Sequence, residues 1–471
     1  MIFKKLFQSP AFWLLILLAF AGCDGRSAGY SIKLNLIGQL KVDSVQMARY
    51  EGTNTIILQT LKIFPEETLF TGLKPLPAGM YTLKLTKGGN IDFLISDSLH
   101  QDFGISADGS DLPNSLEFEN SPENHAFHEY SLFLERSALK QEELRHRMKI
   151  SNWSPDSIRF MNAAFERIGT EIKTRAEVMQ QQFPGSTFSL LLKVMSEPVI
   201  PEPVVPMMIT NREQYLREYY SRYLTGHYFD KIDFSDPRII SFPVFEEKLR
   251  FYFQRITGPV PEITESAIEK VMGKAAVHPD VYRFTAKCLF RMFRESASPQ
   301  SIENSVYVAE NFILNDPGKW KDDSFISQVR GKVSKARLNP VGKVATDLKL
   351  VRSDGKLTRL SDVRARTTIL YFFNPECEAC IPVTEKLRSV YEKVRDRGIE
   401  VFAVYMDRKT ETWKKYIADK GLDWINVYDP SGEEQIEKKY DIYAIPMIYL
   451  LDQDKKVTAK DVPVEKLESL L

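Results

Sequence analysis

The sequence predicts a multi-domain protein: an N-terminal all-β, sandwich-like module over 27–115, an α-helical region over 120–335, and a C-terminal α/β domain over 338–471. Three patterns carry that prediction. Ile32, Leu34 and Leu36 alternate with Lys33 and Asn35, the period of a strand with one buried face. From about residue 122 the apolar spacing becomes helical, as in Phe127, Tyr130, Leu132 and Leu134, and again across 266–295. Beyond Leu338 short apolar runs alternate with helical stretches, the order of a mixed sheet with helices on both faces. The length agrees, since 471 residues at roughly 150 per domain make about three domains.

In the first module Tyr81, Leu83 and Leu85 precede Gly88-Gly89-Asn90 and then Ile91, Phe93 and Ile95, which reads as two strands joined by a hairpin turn. No catalytic constellation lies there, so the module is read as one that packs or docks. In the helical region Pro198, Pro201, Pro203 and Pro206 forbid helix and mark an extended linker or crossover between two helical groups. Tyr215, Tyr219, Tyr220, Tyr223, Tyr228, Phe251, Tyr252 and Phe253 either form helical core and rim or line a groove for a peptide partner. In the last domain Ser353-Asp354-Gly355-Lys356 turns a hairpin. A strand at 367–373, a helix after Cys380, a strand at 399–405 and a helix at 411–420 stopped by Gly421 follow, then strands at 424–428, within 442–452 and after Lys456.

With 63 Lys+Arg against 63 Asp+Glu there is no net charge, so nothing electrostatic favours nucleic acid or an acidic membrane surface. Lys4 and Lys5 precede an apolar segment, Ala11 to Ala21, too short for the ~20 residues that span a bilayer and laid out as a secretory signal over 1–22. Phe20-Ala21-Gly22-Cys23 resembles the lipobox of bacterial lipoproteins, although Phe20 stands where Leu is commoner. That resemblance implies lipidation of Cys23, anchoring to a membrane, and residence on the periplasmic side of the cell envelope. The chain has four cysteines. Cys23 is assigned to lipid and Cys288 is read as a small buried hydrophobe in a helix. Cys377 and Cys380 remain to pair.

Cys377-Glu378-Ala379-Cys380 stands where the apolar strand ends and a helix with Val383, Leu387, Val390, Tyr391 and Val394 begins. Two intervening residues let both sulfurs meet in the first helical turn, where unpaired N–H groups and the positive end of the dipole favour thiolate. That is the layout of a redox centre.

Together with the Asp-Gly-Lys hairpin and with Ala444-Ile445-Pro446 before an apolar strand ending in Leu451-Asp452, this arrangement over about 340–471 resembles the thioredoxin superfamily, specifically its TlpA-like and ResA-like extracytoplasmic thiol:disulfide oxidoreductases. The resemblance implies a thioredoxin fold and no cofactor. It implies Cys377 as the attacking thiol, Cys380 as the resolving one, and a cis Ile445-Pro446 bond beside the sulfurs that positions an extended substrate segment. Its partners would be protein thiols and disulfides, with a membrane thiol reductase as electron donor. Departures also carry information. Glu376 replaces the Trp common before the first cysteine, and carboxylates at Glu376 and Glu378 disfavour a neighbouring thiolate, which points to a reductant. Tyr371 and Val383 occupy the positions where relatives carry a buried acid. Glu376 and Glu378 are therefore the candidates for proton transfer or tuning. Pro382 shapes the first helical turn in place of a later kink.

A second reading stays open: a non-catalytic thioredoxin scaffold in which the modules bind a ligand or protein partner. Other chemistries fit less well. Zinc needs two more ligands, yet no histidine follows His278 and no further cysteine lies in the last domain. A Cys-His hydrolase lacks a histidine for the same reason, unless His278 or an earlier one reaches across from another domain. A thiol peroxidase needs a hydroxyl that Asn374-Pro375-Glu376 does not offer, and no Gly-rich phosphate loop stands at a strand-to-helix junction.

Overall fold

The computed structural model describes residues 29–471 except 39–42, 65–66, 87–88, 98–99, 151–152, 259–260, 296–298, 321, 441 and 443. The leader expected over 1–22 and Cys23 lie outside the described residues. The chain is sheet-rich at its start and helical in its middle, and it ends in an α/β domain built on a seven-stranded sheet. It forms two compact units, one ending at Tyr252 and one from Phe253 to Leu471, each holding part of the helical region.

The first unit opens with eight strands: β1 (Tyr30–Ile37), β2 (Ser44–Glu51), β3 (Asn54–Lys62), β4 (Thr68–Gly72), β5 (Gly79–Leu85), β6 (Gly89–Ile95), β7 (Asp102–Asp108) and β8 (Glu117–Glu119). They pair as β4-β1-β7-β8 and β3-β2-β5-β6. Alternate residues of both sheets, Ile32 and Leu34 with Tyr81, Leu83, Phe93 and Phe103 among them, share one core, so the module is a sandwich. Five helices follow: α1 (Pro122–Ile150), α2 (Pro155–Gln182), α3 (Thr187–Met195), α4 (Arg212–His227) and α5 (Pro243–Phe251). Strand β6 is an edge with free backbone groups, and helix side chains satisfy them. Asn124 of α1 accepts from Leu94 N at 2.6 Å and donates to Leu94 O at 3.0 Å, while Thr187 Oγ1 of α3 donates to Ile95 O at 2.9 Å.

Proline has two roles in these helices. Pro198, Pro201, Pro203 and Pro206 fall in the non-helical segment between α3 and α4. Pro122, Pro155, Pro243, Pro261, Pro279 and Pro299 instead open helices, where the missing N–H costs nothing. The tyrosines of α4 form no core, since that helix buries no residue, whereas Tyr228 and Tyr252 are buried.

The second unit begins with α6 (Pro261–Ala275), α7 (Pro279–Glu295), α8 (Pro299–Val308) and α9 (Asp323–Ala336). Cys288 is buried within α7, as its surroundings in the sequence implied. The sheet that follows comprises β9 (Lys349–Arg352), β10 (Leu357–Arg359), β11 (Thr367–Phe373), β12 (Ile399–Tyr405), β13 (Ile425–Tyr428), β14 (Met447–Asp452) and β15 (Val457–Lys460), in the order β10-β9-β13-β12-β11-β14-β15. Strands β11, β12 and β13 are parallel, and β14 returns antiparallel against β11. Because β11 is central, all its residues after the first are buried, and its alternating side chains feed two cores. One core takes Tyr371 and Phe373 with α10 (Cys380–Val394) and α11 (Thr410–Lys420); the other takes Leu370 and Phe372 with α12 (Ile436–Lys439).

Local signals set the boundaries. Gly355, at φ +86°, makes the Asp-Gly hairpin, and Gly421, at φ +59°, ends α11 in the left-handed region that favours glycine. The ladder of β14 starts at Met447 because Pro446 has no N–H to give it. Lys460 ties the sheet to the end of α9, its ammonium donating to Ala336 O at 3.1 Å and Leu338 O at 3.3 Å, the cation that a helix C-terminus favours. Among the described residues no helix is long and apolar enough to cross a membrane.

Candidate active site

The C-terminal end of β11 delivers the chain into a turn of two hydrogen-bonded steps. Asn374 O accepts from Cys377 N at 3.1 Å, and Cys377 O accepts from Cys380 N at 2.9 Å. Asn374 Oδ1 accepts from Glu376 N at 2.9 Å and stiffens the first step. Helix α10 then begins at Cys380 itself. Cys377 thus lies in the turn before the helix, and not in the first helical turn as the spacing implied, because the chain closes two successive i→i+3 steps before the helix starts at Cys380.

The turn separates the two thiols by exposure. Both are free; Cys377 is half-buried and Cys380 fully buried. The two side chains are close enough for Cys377 to act on the Cys380 thiol. Cys377 Sγ also donates to the carbonyl of Ile445 at 3.8 Å. The Ile445-Pro446 bond is cis, and Ile445 packs against both cores. The strand end, the helix start and the loop before β14 therefore meet at Cys377.

Burial pushes the Cys380 thiol up to about 12, the neighbouring Cys377 adds to this, and a hydrogen bond from the Asn374 backbone opposes it. At about pH 7 that leaves roughly one thiolate in 10⁵. Because the folded value lies above that of an unfolded cysteine, this group's contribution to stability is complete below about pH 8.5 and is lost as pH rises toward 12. In a Cys377→Ser variant the alkylation rate of Cys380 is expected to keep rising with pH past about 10; levelling near 8.5, as for a free cysteine, would contradict the burial effect.

Behind Cys380 stands a pair of hydroxyls. Tyr371 Oη and Thr384 Oγ1 lie 2.9 Å apart, and both reach the Cys380 carbonyl, Thr384 at 2.8 Å and Tyr371 at 3.4 Å. Burial raises the Tyr371 pKa, so the phenol stays neutral. Thr384 was not singled out from the sequence, although it stands four residues after Cys380 and so on the same helix face. Val383 is half-buried against the core beside Cys377. Glu376 and Glu378 are exposed, and Glu376 meets Lys409 at 3.6 Å. Pro382 lies in the first turn of α10. Among the described residues no group of three or more His, Cys, Asp or Glu side chains could hold a metal ion.

A central β-sheet with helices on both faces, a thiol pair at the end of its middle strand and a cis-proline beside that pair define a thioredoxin-class protein. Comparison with known proteins agrees. Residues 341–460 match the AhpC/TSA family, and residues 167–317 match a domain of unknown function, DUF5106. The thiol-disulfide oxidoreductase ResA of Bacillus cereus is 27% identical over 128 residues, which is 27% of this chain and 73% of that protein. A domain of a possible thiol-disulfide isomerase from Cytophaga hutchinsonii is 37% identical, covering 28% of this chain and 89% of that one, at a TM-score of 0.27. A thioredoxin-like protein from Bacteroides caccae is 20% identical and covers 58% of this chain and 98% of its own, at a TM-score of 0.48. The C-terminal domain is thioredoxin-like, and its similarity to the ResA proteins supports a TlpA/ResA-like protein of the thiol:disulfide oxidoreductase class.

Proposed function

We propose that this protein is an exported, membrane-anchored thiol:disulfide oxidoreductase that reduces disulfides of protein substrates through Cys377 and Cys380. The observation that carries this reading is the graded pair of thiols: Cys377 half-buried with its sulfur on the Ile445 carbonyl, Cys380 fully buried at the start of the helix that follows. In the first step the Cys377 thiolate attacks a substrate disulfide. That S–S bond breaks, one substrate sulfur becomes bonded to Cys377, and the other leaves as a thiolate that takes a proton from water. Cys380 then loses its proton and attacks the Cys377 sulfur. The second substrate thiol is released, and the enzyme is left with a Cys377–Cys380 disulfide, two electrons having passed to the substrate. A membrane thiol reductase restores the dithiol.

The direction follows from thiolate energetics. Strong oxidants of this class stabilise a thiolate in their reduced form; here Cys380 is buried and the residues flanking Cys377 are carboxylates, which act the other way. Substrate backbone is positioned at Ile445 and Pro446, and Glu376 with Glu378 tunes the mouth of the site. Cys23 as the lipidated N-terminus and a leader over 1–22 place the protein on the periplasmic side of the envelope. In chain order the β module over 27–115 and the helices over 120–335 come before the redox domain over 338–471.

Covalent trapping tests the reading. With Cys380→Ser the mixed disulfide on Cys377 cannot be resolved, so adducts with protein partners are expected to accumulate and to dissolve on reduction. Recovery of associations that reductant does not release would count against exchange chemistry.

A further inference from the structure

The first unit holds a large apolar cavity that the thiol chemistry does not use. It measures about 780 Å³ and lies among α1, α2, α3 and the start of the proline-rich crossover, within the size range of small-molecule sites. Its wall is built from Tyr130 and Leu134 of α1, Ile172 and Ala176 of α2, and Leu192 and Met195 of α3. On α2 the lining residues Gly169, Ile172, Lys173 and Ala176 fall at i, i+3, i+4 and i+7, so one stripe of that helix faces the space. Such a stripe ordinarily packs on its neighbour. Here Gly169 leaves room instead, since a Cβ added there would meet no atom within 4 Å. Glycine in a helix interior weakens the helix relative to alanine, so at this position helix stability is forgone and the cavity keeps its width. The lining runs from Leu192, 1% exposed, to Val199, an apolar side chain left 59% exposed. A filled cavity would cover it.

The charges of the lining favour an anion. Lys173 of α2 and Lys193 of α3 are exposed, and among the described residues neither forms an ion pair. Lys231 stands with them, its ammonium donating to Glu197 O at 3.1 Å. The acids of the lining are Glu177 and Glu197, and Glu197 is already matched by Lys248, Nζ to Oε1 at 3.1 Å. The cations therefore outweigh the one carboxylate left unmatched, Glu177. An apolar wall beside ammonium groups fits a ligand with a hydrocarbon body and an anionic end. A peptide fits it poorly, because its N–H and C=O groups need partners that Leu134, Ile172, Ala176, Leu192 and Met195 do not offer. An acyl chain has no such groups to satisfy. We propose that the cavity binds a long-chain fatty acid, its chain against α1, α2 and α3 and its carboxylate at Lys173 and Lys193. The site lies in the first unit, goes beyond the thiol-exchange reading and does not rest on it.

The test titrates the chain lacking residues 1–23 with cis-parinaric acid, a fluorescent long-chain fatty acid, and displaces it with octanoate, dodecanoate or dodecanol. Saturable binding is expected, with affinity rising about fourfold per buried methylene, so dodecanoate should displace the probe at a concentration on the order of 100-fold below octanoate. Gly169→Phe, which puts a ring into the space, should weaken dodecanoate on the order of tenfold or more, whereas Gly169→Ala should bind as wild type does. Lys173→Glu combined with Lys193→Glu should weaken dodecanoate on the order of tenfold and leave dodecanol unchanged. No saturable binding to wild type, equal displacement by octanoate and dodecanoate, or undiminished binding by Gly169→Phe overturns the site. A lysine variant that treats dodecanoate and dodecanol alike overturns the placement of the carboxylate, and with it the choice of a fatty acid. Near-ultraviolet circular dichroism checks folding, and if Gly169→Phe fails to fold, the chain-length series and the lysine variant decide.

Discussion

Replacing Cys377 with serine is expected to bring turnover of a model disulfide to background, a loss on the order of 10³-fold or more. The hydroxyl is almost as large as the thiol, but at neutral pH it supplies no comparable nucleophile and forms no disulfide-like intermediate that Cys380 could resolve. Cys380 cannot substitute, because it is fully buried and its thiol is held protonated. The fold should tolerate the change, since Cys377 contributes only a partly buried sulfur to the edge of the core. Activity and thermal stability are therefore expected to separate. A Cys377→Ser chain that still turned over substrate at the wild-type rate would remove the chemistry assigned to the turn.

The largest expected loss of stability comes from Trp413→Ala in α11. Trp413 has no exposed surface; its ring stacks on Tyr405 with centroids 5.3 Å apart and 7° between planes, and meets Tyr428 at 5.1 Å. Removing it empties the centre of the core that also contains Cys380, Phe373 and Leu387. A cavity of that kind costs about 3–5 kcal/mol, which for a unit of this size lowers the melting temperature by roughly 10 °C. Trp413 Nε1 has no hydrogen-bond partner among the described residues, so Trp413→Phe forfeits volume without a hydrogen bond and should cost only about 1–2 kcal/mol. Urea unfolding of both variants checks the pair. Equal losses for Ala and Phe would mean that the indole is held by something other than packing.

Much of the C-terminal domain was legible because its signals are local. The apolar runs at 367–373 and 399–405 correspond to β11 and β12 in full, the Asp-Gly pair makes its hairpin, and Gly421 ends α11. A buried parallel strand needs an unbroken apolar run, and a left-handed helix end needs glycine, so composition alone exposes both. The cysteine spacing likewise marked the turn between β11 and α10. Where the helix begins was not legible, since the number of i→i+3 turn steps between the strand and the helix is not written in the residue types. Thr384 escaped notice because a lone threonine on an apolar helix face has no signature until the strand behind it is placed.

By itself the sequence determined the order of sheet, helices and α/β domain, the two thiols, and the proline that precedes β14, because each is written in the residue types within one segment. Only the tertiary structure decided that the Cys377 sulfur meets the Ile445 carbonyl, 68 positions away, and that Tyr371 and Thr384, 13 positions apart, share a hydrogen bond behind Cys380. Those contacts join segments that do not adjoin in the chain. They exist because packing β11 between β12 and β14 brings their ends together and buries whatever lies beneath.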